Sequence, residues 1–552
     1  VIRLGGGLSK NFITLDPNTH VLTLPTSLES ANSAYTLTSV EDFAKLAITW
    51  QTNAYYPMVA GVSGNNLNGL QSSNIMVNGT INLAGTGLTG LTQDRASDSQ
   101  VFSGTLNGSG TINLAVGEPY GKRGEDELGE SDTSKGNGKI YRHGRLGLFA
   151  AVNGATISGV TIAGSMKFDN GSATDAGSLA GTIVGTKDEK LTLSGITCGA
   201  NITCDDTFGN DVNIGGIAGS VTADATVDFN NTTKAQATIS TSAACCGNTR
   251  IGGAIGRVGD VESKLNVASL RIAGSVNSGA SSTANNDKFN ADTAKIIQTG
   301  GFIGCITQGS KKKYVSITGL GFDGFKMAVG KNGDKLNGAG GLLGYSWGNA
   351  IVTIGDTATN TSDSTYALKT TNNTTVTANN STEAGGLVYA ASGHWIINDY
   401  AIDLSNATIN ADMATVLGLL VGRGSRTENS RTYGAETYSG LYLENKASWD
   451  TAYKINGVAA GNGVKINNTA IKSNDSATSF DEWVGNSTRP NSINEAGVKK
   501  TGSKLIDGEW NVVISLHTKD DINGGKLDMS GKPGSDNSYH NRSDFGKDHN
   551  TN

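Results

Sequence analysis

Proline is nearly missing, with six residues in a chain of 552. That excludes a proline-rich linker, and no Gly-X-Y period exists to suggest a collagen-like rod. Charged residues make up 17% of the chain, against about 25% in ordinary soluble domains. Asn, Ser and Thr fill the polar positions instead. The net charge of −6 is spread thinly, and no basic face of the kind a nucleic-acid binder normally shows dominates, so nucleic acid is not an expected partner. No apolar run approaches the roughly 20 residues of a membrane helix. The chain starts with neither Met nor a signal peptide, so it is expected to be an excised internal or mature piece.

Catalytic signatures are equally scarce. The six histidines, at 20, 143, 394, 517, 540 and 549, accompany no Ser or Cys nucleophile motif, and no Gly-x-Ser-x-Gly elbow occurs. Glycine runs such as Gly5-Gly6-Gly7 are not followed by Lys-Ser/Thr, which excludes a phosphate cradle. Cysteines stand at 198, 204, 245, 246 and 305, without the Cys-x-x-Cys pairs of a zinc site. Cys198 and Cys204 are close enough to pair across one corner. Cys245 and Cys246 are placed to bridge neighbouring coils. The odd count leaves at least one thiol in a monomer.

Glycine is abundant, at 76 residues, roughly twice average usage. Much of it falls in one repeated signature: Gly215-Gly216-Ile217-Ala218-Gly219, Gly252-Gly253-Ala254-Ile255-Gly256, Gly300-Gly301-Phe302-Ile303-Gly304 and Gly340-Gly341-Leu342-Leu343-Gly344. Gly385-Gly386-Leu387-Val388 repeats it, and Leu146-Gly147-Leu148-Phe149 and Leu417-Gly418-Leu419-Leu420 are degenerate copies. A strand signature returning about every 40 residues marks a repeat architecture, with loops of unequal length on a shared frame. The pairs are read as corners that need positive φ. Between them lie short β-branched runs such as Ile75-Met76-Val77 and Thr156-Ile157-Ser158. One helix is expected before the strands. Ser39 caps it, Asp42 follows three residues later, Val40, Phe43, Ala44 and Ala47 share a face, and Trp50 closes it.

The order Ser39-Val40-Glu41-Asp42-Phe43, then Phe102 to Ile112 (Phe-x-Gly-x-Leu-Asn-Gly-x-Gly-x-Ile), then Gly-Leu-Phe, then Ala155 to Val160, resembles the start of bacterial surface glycine-rich repeat proteins with the GLUG repeat. The later Gly-Gly-Leu-Leu-Gly blocks resemble the body of such a repeat. The resemblance covers residues 36 to 420, although the Gly-x-Ile-x-Asn-Cys half of each repeat is blurred. It implies a parallel β-helix displayed outside a bacterial cell, and no catalytic residues.

The expected fold is therefore all-β: a right-handed parallel β-helix with a short N-terminal capping helix. Residues 1–72 form the cap, 73–422 the body, 423–521 C-terminal coils or a capping region, and 522–552 a polar tail or linker. At about 18 coils the body would be about 90 Å long. An acidic insertion, 117–138, reads as a solvated loop. Its alternative is a calcium loop, since clustered carboxylates suit a hard cation, but the EF-hand spacing is absent. No other cofactor is expected.

Two acidic pairs, Asp188-Glu189 and Asp205-Asp206, are the candidates for glycosidase or lyase chemistry, with Asp169 expected on a coil near the second. The first pair, between Lys187 and Lys190, reads as a charged turn, and the second as a corner after Cys204. A binding constellation is more conspicuous. Lys311, Lys312, Lys313 and Tyr314 follow one glycine pair, Tyr345 and Trp347 the next, and Tyr389, His394 and Trp395 the third. Equivalent loops of a solenoid stack on one side, and Tyr and Trp give rigid contact area. The alternative reading has Tyr345 and Trp347 covering the ends of the core. The expectation is a non-enzymatic surface adhesin, part of a larger cell-wall polypeptide. It would bind host protein, immunoglobulin included, or glycan through Lys312, Tyr314, Tyr345, Trp347, Tyr389, His394 and Trp395. It would bind no nucleic acid and insert in no membrane. The alternatives are a polysaccharide lyase or glycosidase on the same fold, and a structural spacer.

Overall fold

A computed structural model describes most of residues 34–410, the main gaps being 56–69, 93–100, 117–143, 170–173, 206–210, 242–247, 279–296, 330–336, 347–349 and 378–382, with short strands outside that span. The acidic insertion, with its calcium alternative, lies outside the described residues.

The chain winds as a parallel β-solenoid. Each coil contains five short strands. In one coil they are Val212–Gly215, Ala218–Val221, Ala225–Asn230, Thr233–Ala235 and Thr238–Thr241. Equivalent strands of successive coils pair in parallel and, apart from one shift between Gly344 and Tyr345 in sheet II, in register, which builds five sheets, numbered I to V in that order. Sheets IV and V join where Thr161–Asp169 runs through both as one strand. Seven complete coils lie among the described residues, from Arg145 to Asn410, with partial coils before them. The expected 18 coils are thus too many, because one glycine-pair period makes a whole five-strand turn. At about 4.8 Å per strand, the stack over residues 34–445 is about 50 Å long. Glu436–Asn445 continues sheet III beyond Gly393–Ile397, and Lys526–Met529 pairs with it antiparallel.

Strand alternation fills the core. In Ser263–Val267 the residues Ser263, Leu265 and Val267 point inward, while Lys264 and Asn266 are exposed. Period-two burial of this kind is what β-branched and aliphatic residues at every second position produce. The corners divide by geometry. Between sheets III and IV, Gly159, Gly195, Asn231 and Thr232 have positive φ. Between sheets IV and V, Gly164, Gly274, Gly324, Asn372 and Asn373 do. Glycine and asparagine adopt this conformation at least cost.

The glycine pairs themselves do not. None of Gly215, Gly216, Gly252, Gly253, Gly300 and Gly301 has a positive φ, which corrects the reading of them as left-handed corners. They sit where sheet I turns into sheet II, and close approach excludes a side chain. A Cβ on Gly253 would overlap the Gly301 carbonyl oxygen and lie 2.9 Å from Ile272 Cγ2. The third glycine is crowded in the same way: a Cβ on Gly256 would lie 2.5 Å from the Ile214 nitrogen and 2.6 Å from the Gly219 oxygen, and Gly344 alone of these third glycines also has a positive φ, 89°. Backbone packs directly on backbone.

The helix α1, Val40–Tyr55, forms as its cap directs. Ser39 Oγ accepts the Asp42 amide at 3.2 Å, and Asp42 Oδ2 accepts the amides of Thr38 and Ser39, both at 3.0 Å. Burial pushes the Asp42 carboxyl up, but these hydrogen bonds outweigh it and hold the carboxyl below its ordinary range. The helix buries Phe43, Ala44, Leu46, Ala47 and Trp50. The Trp50 ring centre is 6.0 Å from that of Phe102 and 6.4 Å from that of Phe149, and those two stack at 4.3 Å. No helix among the described residues is long and apolar enough to cross a membrane.

Gly253→Val tests the close-approach account. It should lower stability by about 3 kcal/mol, the upper range for overpacking, in chemical denaturation. Gly85, whose added Cβ would meet nothing within 4 Å, is the contrast: Gly85→Asn, which tolerates its φ of 74°, should change stability little. A Gly253→Val protein as stable as wild type would refute the backbone contact.

Candidate binding face

The strand Lys313–Ile317 opens the fifth complete coil's contribution to sheet III, and alternation divides the lysine run. Lys313 is fully buried, with Nζ 2.8 Å from Asp260 Oδ1, and that oxygen also accepts the Lys311 amide at 2.9 Å. An ammonium in the interior needs such a partner. Lys311 is exposed, Lys312 half-buried, and Tyr314 half-buried on the outer face.

The same parity divides the aromatics. Tyr345 is half-buried, and its ring lies 5.3 Å from that of the buried Tyr389. Trp395 is 3% exposed and pairs in register with Val352. It lines an apolar pocket with Phe302, Ile306, Val315, Tyr345 and Val388. Tyr389 and Trp395 therefore belong to the core, not to an exposed strip: the strand phase, not the loop phase, decides where they point. Trp347 lies outside the described residues. His394 belongs to the strand Gly393–Ile397 and pairs in register with Ile351.

What the topology does bring together is a row on the outer face of sheet III. Register runs Lys190, Thr226, Lys264, Tyr314, Ile351, His394. The next row runs Thr156, Thr192, Asp228, Asn266, Ser316, Thr353, Ile396. Lys190 pairs with Asp228, and Asn266 Nδ2 donates to Asp228 Oδ1 at 2.8 Å. Toward the C-terminal coils the two rows turn from polar to apolar, with Tyr314, Ile351 and Ile396 all half-buried. Of the expected site residues, Tyr314 and His394 share this row. Ile351 was missed, although its parity with Tyr314 could have been read from the alternation in each strand.

A second constellation was missed altogether. Asp175, Asn213, Arg250 and Gln298 stand in register on sheet I, each two residues before the glycine that ends its strand, Gly177, Gly215, Gly252 or Gly300. Asn213 Nδ2 donates to Asp175 Oδ1 at 2.8 Å, Arg250 Nη1 to Asn213 Oδ1 at 3.3 Å, and Arg250 Nε to Gln298 Oε1 at 3.2 Å. Arg250 also pairs with Asp211 at 3.1 Å. Burial raises the Asp175 carboxyl above its usual range, against the pull of Asn213, Thr174 and Arg257. The network satisfies its own members along the stack, which is the chemistry of a structural ladder.

The thiols and acids follow. Cys198, Cys204 and Cys305 are buried and none is in a disulfide, so the pairing that spacing allows between Cys198 and Cys204 is not made: both side chains are packed in the core. Burial pushes Cys198 up and Cys305 up to about 12, although Arg250, Arg257 and Lys313 stand around the latter. Such thiols are inert at neutral pH. Cys245 and Cys246 lie outside the described residues. Asp169 and Asp205 are register neighbours at their strand ends, and Asp206 is outside the described residues. No group of three or more His, Cys, Asp or Glu among the described residues is placed to hold a metal ion. No family model, curated protein or solved structure matches the chain.

Trp395→Ala distinguishes core from surface. As a core truncation it should cost about 3–5 kcal/mol in urea denaturation. A loss under about 0.5 kcal/mol, the range of surface changes, would return Trp395 to the outside.

Proposed function

We propose that this chain is a non-enzymatic binding module of a bacterial cell surface, akin to the GLUG-type repeat proteins, that contacts host proteins or glycoproteins through one outer face of the solenoid. The observation that carries the reading is the in-register outer row of sheet III, where Tyr314, Ile351 and His394 occupy successive strands. A stack of strands presents such a row as a straight ridge, and half-buried aromatic and aliphatic side chains there supply contact area at little ordering cost. Immunoglobulin is the first partner to test. The winding is right-handed, the hand that parallel crossovers take almost without exception. The helix α1 acts as an end cap: it covers Phe102 and Phe149 where the first coils would otherwise expose apolar rings and an open edge.

The enzymatic alternative, a polysaccharide lyase or glycosidase, has one placement in its favour, the neighbouring Asp169 and Asp205. Release of reducing ends from polysaccharides would favour it.

Tyr314→Ala and Ile351→Ala should each weaken binding to purified immunoglobulin or mucin glycoprotein by on the order of 2 kcal/mol. Folding stability should stay within about 1 kcal/mol of wild type. Unaltered affinity in both variants would remove this face from the binding site. The cap has its own test: a chain lacking residues 1–55 should self-associate through the uncovered edge in light scattering, and a folded monomer would contradict the capping role.

A further inference from the structure

The outer face of sheet IV carries a different chemistry. Its register row runs Thr161, Thr197, Lys234, Arg271, Gly321, Lys369, Asp403. Lys326, exposed on sheet V, lies in the same coil as Gly321. Four cations thus gather on four successive coils of a chain whose net charge is −6. Lys234 and Arg271 are direct neighbours on adjacent strands, an arrangement that costs stability in the free protein. Among the described residues Lys234, Lys326 and Lys369 make no ion pair, and Arg271 makes one, to Asp323 at 3.5 Å. Asp323 is shared, since its Oδ1 accepts Thr371 Oγ1 at 3.1 Å and Asn372 Nδ2 at 2.6 Å. Asp403 sits beside Lys369 at the end of the row.

Gly321 interrupts the cations, and packing does not require it. It lies inside a strand, Leu320–Asp323, without a positive φ. A Cβ built there meets only the Leu270 carbonyl oxygen, at 4.0 Å. A strand-interior glycine weakens the strand and often marks a bulge, a tight bend, or the close approach of a ligand or another backbone; here the register runs through without a shift and no backbone atom comes nearer than that oxygen. The result is an open notch between Arg271 and Lys369, two strand spacings or about 10 Å across.

We propose that this notch and its flanking cations bind an acidic oligosaccharide, a linear glycan bearing carboxylate or sulfate groups. This deepens the binding-module reading and rests on it. The stack repeats at about 4.8 Å, comparable to the length of one pyranose unit, so successive strands can meet successive sugars. Thr197, Thr238, Ser275 and Thr375 surround the cations and offer hydroxyl partners. Nucleic acid fits less well. The rows carry no aromatic side chain from Thr161 to Asp403 on which bases would stack.

The experiment is calorimetric titration of the whole chain at low ionic strength. The probes are a heparin-derived octasaccharide, an oligogalacturonate, a neutral malto-oligosaccharide and an oligo-dT of matched charge. The proposal expects binding of one or both acidic sugars, released by salt, and none of the neutral one. Which acidic sugar binds separates sulfate from carboxylate recognition. The triple variant Lys234→Ser, Arg271→Ser, Lys369→Ser should weaken that binding at least about tenfold. A charge-matched triple of exposed cations off the row, Lys167→Ser, Lys264→Ser, Lys311→Ser, should leave it nearly unchanged. Gly321→Thr should weaken it comparably while the melting temperature holds or rises. The proposal is overturned by no binding of either acidic sugar, by an equal loss in the control triple, by an unaffected Gly321→Thr, or by tighter binding of oligo-dT. Tyr314→Ala should leave sugar binding intact, so failure of the protein-binding face and failure of this site are told apart.

Discussion

At the turn from sheet I to sheet II, two stretches of backbone lie against each other with no side chain between them. The Gly253 amide donates to the Gly300 carbonyl at 3.1 Å, and Ala254 and Ile255 both donate to the Phe302 carbonyl at 3.0 Å. The Gly301 amide reaches Gly341 at 3.2 Å, and Phe302 reaches Leu342 at 2.6 Å. Each coil is thereby hydrogen-bonded to the next at its tightest point. The residue after the pair, Ile217, Ala254, Phe302 or Leu342, is driven into the core, where Phe302 meets Phe229 edge-on at 6.0 Å. The polar ladder from Asp175 to Gln298 runs beside the same seam and neutralises itself. Loops of very different length can then leave the frame without disturbing it, which is how a repeat of unequal period still stacks in register.

That frame explains which parts of the fold were legible. The glycine signature marked the repeat, the capping residues marked α1, and alternation marked the strands, because each is a local rule with one answer. The conformation of the glycine pairs was not legible. A glycine needed for close approach looks the same in sequence as one needed for positive φ, and only the stacked neighbour distinguishes them. The left-handed corners fell instead to scattered single glycines and to Asn231, Asn372 and Asn373. The coil count failed for a related reason: five short strands and their corners consume a whole period, and no single strand announces how many share a turn.

The aromatic strip shows the limit at the site. Grouping by distance from the glycine pair put Tyr314, Tyr389, His394 and Trp395 together. Strand parity separates them: Tyr314 lies on the outer face, whereas Tyr389 and Trp395 are buried. Long-range register then makes new groups that no stretch of sequence contains, such as Tyr314 with Ile351 and His394, or Lys234 with Arg271 and Lys369. The two proposed contact surfaces are of this kind. Each is a row of single residues contributed by successive coils, and each depends on the register that the seam enforces.

Native-state hydrogen exchange tests the seam most directly. If backbone packing at the glycine turns holds the coils in register, the amides of Gly253, Ala254, Ile255, Gly301 and Phe302 open only with global unfolding. They should then exchange among the slowest in the chain, with the free energy of complete denaturation. Exchange of these amides by local opening, at rates near those of the corner residues Asn231 and Asn372 while the strands of sheet III stay protected, would contradict it.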